Sequence, residues 1–254
     1  MLTLLDLPEE CLLQTLSTLA VQDVLALACT CKQFARVTHD DVLWKELAFA
    51  KWGQQVLELR QQPAEESEGG WSAYCRHRMS FISHKPSPLA LVQEQYADPW
   101  QHLVCCLLCS RTSGGQIIRD TISSFLRLYP TPSAVLCTPN QELETTLNPV
   151  GLQEVRCKAV QSMSHAFLAE NWQDPSEFWG CGRFAADSWR IFCRGDKAAR
   201  VEDATLQRYL RWLKSGKDPQ PARKPAQKRK ARSTLPQMAK SPASTRQLRS
   251  RRQR

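Results

Sequence analysis

Apolar residues recur three or four positions apart along most of the chain, a spacing that is typical of amphipathic helices. In the N-terminal part this spacing predicts three helices: one containing Leu12 and Leu16, a second running from Val24 to Phe34, and a third beginning near Asp40. No stretch alternates between apolar and polar residues in the manner of a strand. The sequence therefore predicts an all-α fold.

A second, larger group of helices is predicted after residue 89. The apolar spacing predicts helices over 100–109, 115–129, 139–147, 151–169, 175–179, 183–193 and 203–213. Between the two groups, residues 61–70 are polar and rich in chain breakers, which indicates a loop. Trp71, Tyr74 and Met79 predict one more helix after that loop. We therefore divide the chain into an N-terminal domain (1–52), a linker with one helix (53–88), a larger domain (89–213) and a tail (214–254).

The positive charge of the chain lies in its tail. The 254 residues have a net charge of +9, but from residue 214 onward there are fourteen Lys and Arg against one acid. The tail alone is therefore +13, which leaves −4 for residues 1–213. Pro, Ser, Gln and Ala separate the charges, a composition that predicts disorder. The runs Lys228-Arg229-Lys230-Ala231-Arg232 and Arg249-Ser250-Arg251-Arg252 indicate nuclear import or nucleic-acid contact, with a solubilising tail as the alternative.

The composition excludes several other classes of protein. No apolar run approaches the ~20 residues that span a bilayer, so we expect no membrane segment. The eleven cysteines are odd in number and lie in apolar stretches, which favours free thiols in a reducing compartment. Cys29 and Cys31 are too close together for a zinc knuckle. We expect neither a metal nor a cofactor.

The first fifty residues contain a series of short motifs. These are Leu7-Pro8 at the start, Asp23 before the second helix, Cys29-Thr30-Cys31-Lys32-Gln33-Phe34 within it, and Leu43-Trp44 in the third. Together they resemble an F-box over residues 5–52. The resemblance implies docking to a Skp-type adaptor of a cullin ubiquitin ligase, through Leu7, Pro8, Leu12 and Leu25. A small helical bundle that caps the next domain is the alternative, and outside a ligase complex we expect a monomer.

A glycine hairpin and an acidic pair characterise the second domain. Gly180-x-Gly182 precedes a predicted helix, with Arg183 directly after it. Glycines allow backbone amides to approach a phosphate, and the helix presents its positive end to that phosphate. Glu202-Asp203 follows about twenty residues later. A Gly-x-Gly pair is weak evidence by itself, so the surrounding motifs matter.

Five motifs occur in one order between residues 89 and 213. They are Leu91-Val92-Gln93-Glu94, Asp98-Pro99-Trp100, Ser110-Arg111-Thr112-Ser113-Gly114, Asn148-Pro149-Val150-Gly151-Leu152, and the hairpin with its following helix and acidic pair. The set resembles the helix-hairpin-helix DNA glycosylases, in particular the methyl-CpG-binding thymine mismatch glycosylases. The resemblance implies binding of double-stranded DNA that contains a mismatched or damaged pyrimidine.

The resemblance also implies roles for individual residues. Asp203 would be the catalytic carboxylate, which stabilises the sugar cation and activates water without a metal. Gln93 would recognise the edge of the extruded base, with Phe184 beside it. Arg111 and Leu152 would fill the gap left by that base and contact its former partner. Two alternatives remain, because Asp203 could only cap its helix and Leu152 could belong to the core.

Three departures from the family limit the chemistry. Bifunctional members have a Lys where this chain has Phe184, so we expect a DNA N-glycosylase without lyase activity. Thr205 replaces a basic residue, which weakens the grip on phosphate. No Cys follows Asp203, so the iron–sulfur cluster of many members is not expected. Two functions are therefore considered: a monofunctional glycosylase with an F-box, and a non-catalytic F-box receptor that uses the glycosylase fold for binding.

Overall fold

Four helices form the N-terminal part of the computed structural model, which describes residues 4–59, 70–82, 86–112, 114–169 and 172–217. They are α1 (Glu9–Leu16), α2 (Val21–Ala28), α3 (Lys32–Val37) and α4 (Asp41–Trp52). The single second helix of the prediction is divided at Cys31, whose backbone is extended. Before it, the Thr30 hydroxyl donates to the Leu27 carbonyl at 2.7 Å, a local bond that competes with helix continuation.

Two helices connect this part to the rest of the molecule. They are α5 (Gln54–Leu59) and α6 (Gly70–Met79). Residues 61–69 of the predicted loop (61–70) lie outside the described residues, and its last residue, Gly70, begins α6. The predicted helix around Tyr74 is confirmed as α6, whose buried face includes Tyr74 and Met79. This helix packs on α4 and contributes to the connection between the two parts of the fold.

Seven helices form the larger, C-terminal part. They are α7 (Pro99–Cys109), α8 (Gln116–Leu128), α9 (Pro132–Cys137), α10 (Asn140–Leu147), α11 (Gln153–Ala169), α12 (Arg183–Arg194) and α13 (Ala204–Ser215). Short 3-10 helices lie at Val92–Gln95, Asn148–Val150 and Pro175–Glu177. The all-α prediction is confirmed, since the described residues contain no strand. Helix α9 was not predicted, because its six residues are too few for apolar spacing to identify.

One hydrophobic core extends through both parts of the fold. Its buried side chains range from Leu12 in α1 to Cys193 in α12. At the junction, the Trp52 ring makes edge contacts with Tyr74 and Phe167, at 5.8 and 6.0 Å between centroids. The Tyr74 hydroxyl donates to the Leu168 carbonyl at 2.7 Å. The F-box-like helices therefore pack directly on the larger helical part.

A buried arginine reinforces this junction. Arg78 of α6 donates from Nε to the Phe167 carbonyl at 2.5 Å, and its guanidinium lies 3.8 Å from the Tyr74 ring centroid. Such a contact replaces the water that the guanidinium loses on burial. The described residues from 4 to 217 accordingly belong to one compact unit.

No helix among the described residues has the length and apolar character required to cross a bilayer. The predicted disordered tail lies outside the described residues beyond Lys217, and α13 extends two residues past the predicted boundary at 213, to Ser215.

Candidate functional site

A cavity of about 470 Å³ opens between the 3-10 segment before α7, the loop after α7, and the first turns of α12 and α13. Its walls include four residues that the sequence predicted to act together: Gln93, Arg111, Phe184 and Asp203. These residues are up to 110 positions apart along the chain. The fold therefore assembles the base-recognition and catalytic candidates around one space.

Asp203 is the N-cap of α13 and also lines this cavity. Its Oδ1 accepts from the backbone amides of Thr205 and Leu206, both at 2.9 Å. Within the described chain no group hydrogen-bonds to Oδ2. The capping alternative and the catalytic role are therefore compatible, because the cap uses one oxygen and holds the carboxylate in a fixed orientation.

Gln93 lies in the cavity wall and is only 6 % exposed. The neighbouring Glu94 fixes the turn that presents it. Its Oε2 accepts from the Leu91 amide at 2.7 Å, and its Oε1 accepts from the Ser87 amide at 2.7 Å. A largely buried amide of this kind can recognise the edge of a pyrimidine by accepting and donating in one plane.

Two arginines in the cavity wall were not predicted from the sequence. Arg119 of α8 donates from Nη1 to the Ala90 carbonyl at 3.1 Å and lines the cavity beside Gln93. Arg208 lines it from α13, one helical turn after Thr205. Helical spacing from Asp203 and Thr205 would have identified Arg208, whereas nothing in the local sequence identifies Arg119. Together with Arg111 they place three cations around one carboxylate.

A buried histidine lies behind the cavity and joins α7 to α12. His102 Nε2 is 2.9 Å from the Ser188 hydroxyl, and the imidazole centroid is 5.0 Å from that of Phe192. Complete burial lowers the pKa of His102 from 6.5 to about 4. The imidazole is therefore neutral at physiological pH.

This burial predicts a specific loss of stability in acid. Since His102 has the lower pKa in the folded state, its contribution to the free energy of unfolding should decrease as the pH falls from 6.5 toward 4, by about 2 kcal/mol between pH 7 and pH 5. His77, whose pKa burial also lowers to about 4, should add a decrease of its own. His102→Asn should therefore reduce the difference between the two pH values by about 2 kcal/mol and leave the His77 part, as measured by urea unfolding. Ser188→Ala is the control, because it removes the hydrogen bond and retains the titrating ring. An unchanged pH dependence in His102→Asn would contradict this account.

The glycine hairpin lies outside the cavity, at the start of α12. Gly180 has φ = 88°, and a Cβ there would lie 2.8 Å from the Ala159 Cβ, so a larger residue would clash with α11. Gly182 is the N-cap of α12. Arg183 forms a salt bridge with Glu202 at 2.5 Å and faces the buried Asp187 at 3.7 Å. This exposed salt bridge joins the start of α12 to the first residue of the acidic pair.

Arg111 and Leu152 occupy strained positions at the surface. Their φ angles are 58° and 51°, in the left-handed region that non-glycine residues rarely adopt. The Leu152 side chain is 62 % exposed, so Leu152 is not part of the core. Such strain persists where the surrounding structure enforces it, and it concentrates at functional sites.

The candidate adaptor residues differ in exposure. Leu7 is 40 % exposed, Pro8 is exposed and Leu25 is half-buried. Leu12 is only 1 % exposed, so its side chain supports the core of the F-box-like part and is not on its surface. Among the described residues, no three His, Cys, Asp or Glu side chains gather in a way that could hold a metal.

Two family models match this chain. One described as "HhH-GPD superfamily base excision DNA repair protein" matches residues 104–233, just over half of the chain. The other, described as F-box-like, matches residues 4–50.

Curated relatives match the C-terminal part. The chain is 35 % identical over 130 residues to a methyl-CpG-binding domain protein 4-like protein of Arabidopsis thaliana, which is 50 % of this chain and 29 % of that protein. It is 31 % identical over 71 residues to a thymine/uracil-DNA glycosylase of Pyrobaculum aerophilum, covering 28 % and 30 % of the two chains. It is 36 % identical over 62 residues to a thymine-DNA glycosylase of Aeropyrum pernix, covering 24 % and 27 %. The matches span less than a third of each relative.

Proposed function

Since this chain belongs to the HhH-GPD superfamily of base excision DNA repair proteins, we propose that it removes thymine or uracil mispaired with guanine in double-stranded DNA. The observation that carries this proposal is the shared cavity, in which the Asp203 carboxylate and the Gln93 amide line the same space. Two relatives whose names describe thymine or uracil glycosylases support the choice of base.

In the proposed reaction the mismatched base leaves the duplex and enters the cavity. Gln93 hydrogen-bonds to its edge, and the bond between the sugar C1′ and the base N1 breaks with its electron pair remaining on the base. The Asp203 carboxylate stabilises the positive charge that develops on the sugar. It then accepts a proton from the water that attacks C1′. That proton passes through solvent to the N1 anion of the base, which leaves an abasic site, the free base and the ionised Asp203 carboxylate.

The reaction ends at the abasic site because the cavity offers no amine at the relevant position. Phe184 lines the wall where bifunctional relatives have a lysine. A phenyl ring cannot form a Schiff base with the sugar, so strand cleavage has no nucleophile. The chain is thus proposed to be monofunctional.

The charge around the cavity supports DNA binding, although Thr205 replaces a basic residue and residues 1–213 have a net charge of −4. Arg111, Arg119 and Arg208 line the cavity, and Asp203 is the one acidic residue among the described residues of its wall. A local positive field of this kind attracts the phosphate backbone. The basic runs after residue 214, which lie outside the described residues, would add to that attraction and support a nuclear location.

The proposal is tested with labelled duplexes that contain G·T, G·U or G·C pairs. We expect the purified full chain to produce abasic sites only in the mismatched duplexes, seen as cleaved strands after alkali and as intact strands before it. Borohydride should trap no covalent complex. Strand cleavage without alkali, or product from G·C, would contradict the proposed activity.

The F-box-like domain supports a second proposed function, a link to a cullin ubiquitin ligase through a Skp-type adaptor. The exposed Leu7 and Pro8, with the half-buried Leu25, are the proposed contacts. Both functions can coexist in one chain. Adaptor binding without any product from mismatched DNA would favour the non-catalytic receptor.

A further inference from the structure

Two loops that are far apart in the sequence each contain a residue with a strained backbone, Arg111 in one and Leu152 in the other. Arg111 follows the end of α7, and Leu152 precedes the start of α11. Both have positive φ, and both side chains are exposed. The resemblance to the helix-hairpin-helix glycosylases implies that these two residues fill the gap in the duplex when the base leaves it. Some interaction must hold both loops in their strained conformations.

Arg156, in the first turn of α11, contacts both loops. Its side chain is buried, with only 7 % of the residue exposed. Nε donates to the Gly151 carbonyl at 3.1 Å, on the Leu152 side. Nη2 donates to the Ser110 carbonyl at 3.2 Å, on the Arg111 side. One guanidinium therefore bridges the residues that directly precede Leu152 and Arg111.

The same side chain also caps α7. Nη1 donates to the carbonyls of Leu107 and Leu108 at 3.1 and 3.0 Å. The last carbonyls of a helix lack partners within the helix and lie at its negative end, which favours a cation. In the part of the chain that is described, no acidic side chain forms a salt bridge with Arg156, so carbonyl groups take its hydrogen bonds.

Only a guanidinium suits this geometry. Its planar fork presents donors in several fixed directions, which matches four carbonyls from two segments. Lysine would supply one compact charge and could not reach both loops at once. The α11 backbone adds a further restraint, because the Arg156 amide donates to the Leu152 carbonyl at 2.9 Å.

We propose that Arg156 is a positioning residue that couples the Arg111 and Leu152 loops, so that both side chains enter the duplex as one unit during base extrusion. This inference rests on the proposed function for its DNA substrate. Without the bridge, each loop would relax independently, and the two insertions would become separate events.

The test is a double-mutant cycle on duplex binding. It uses the full chain carrying Asp203→Asn to prevent turnover, and a G·U duplex at fixed salt. Arg111→Ala and Leu152→Ala should each weaken binding about tenfold, and the two together hardly more, because losing either side chain already prevents the joint insertion. In an Arg156→Met background the two effects should simply multiply. Arg127→Met, an exposed arginine of α8, is the matched control and should retain the coupling.

The inference would be overturned if the effects of Arg111→Ala and Leu152→Ala on duplex binding multiply in the chain that retains Arg156. Equally strong coupling between these two substitutions in the Arg156→Met variant would also overturn it. If Arg156→Met does not fold, the cycle in the chain that retains Arg156 still tests whether Arg111 and Leu152 are coupled. Arg156→Lys then replaces Arg156→Met as the variant without the bridge. Hydrogen exchange without DNA gives a second measurement. Loss of Arg156 should speed exchange in both 110–112 and 151–153, and an effect on one segment alone would refute the bridge. Lack of excision by the unmodified chain, with coupling intact, would instead refute the glycosylase activity.

Discussion

Replacing Asp203 with asparagine is expected to reduce base excision on the order of 10³-fold or more while the fold stays intact. Asparagine retains the Oδ1 acceptor that caps α13, and it is as good an N-cap as aspartate. It lacks the negative charge that the sugar cation and the attacking water require. Single-turnover excision from a G·U duplex measures the rate, and thermal unfolding confirms that stability is retained.

Glu202→Gln is the matched control for this prediction. Glu202 directly precedes Asp203, but its side chain is exposed and forms a salt bridge with Arg183 instead of lining the cavity. We expect its excision rate to stay within a few-fold of the unmodified chain, since an exposed ion pair contributes little. Asp203→Asn with a nearly unchanged rate would show that another group performs the chemistry.

Truncating Trp52, at the end of the F-box-like part, is expected to destabilise the whole helical unit. The Trp52 ring is 2 % exposed and packs on Tyr74 and Phe167, so Trp52→Ala leaves a large cavity at the junction. A loss of about 3–5 kcal/mol is expected, which corresponds to a fall in Tm of about 10 °C. Urea and thermal unfolding of the full chain measure both quantities.

The shared core further predicts that both parts unfold together in a single transition. Phe49→Ala is the matched control, because Phe49 lies on the same helix but is 43 % exposed, and its loss should cost far less. Two separate transitions, with the glycosylase-like part unaffected by Trp52→Ala, would show that the F-box-like part is an independent module.

Much of the helix pattern could be predicted from the sequence alone. The predicted helices over 100–109, 115–129 and 183–193 match α7, α8 and α12 closely, because long amphipathic segments repeat the same apolar spacing over several turns. Apolar spacing did not identify the short elements. Helix α9 has six residues, and the division between α2 and α3 depends on local hydrogen bonds such as that of Thr30.

The sequence predicted those residues of the candidate site that belong to recognisable motifs, and it missed the others. Asp203, Gln93 and Phe184 belong to motifs that resemble a known family, and the structure brings all three to one cavity. Arg119 and Arg156 belong to no such motif, and only their neighbours in space reveal their positions. The burial of Leu12 likewise follows from packing, since its spacing is equally compatible with a docking surface.

The sequence by itself determined the longer helices, the order of the motifs and the identity of the groups that could do chemistry. These depend on residues three or four positions apart, whose mutual placement a helix dictates. The tertiary structure alone decided which distant side chains meet: the junction of Trp52 with Phe167, the cavity around Asp203, and the Arg156 bridge between two loops. Such contacts result from the packing of whole helices, and no local pattern encodes which faces will touch.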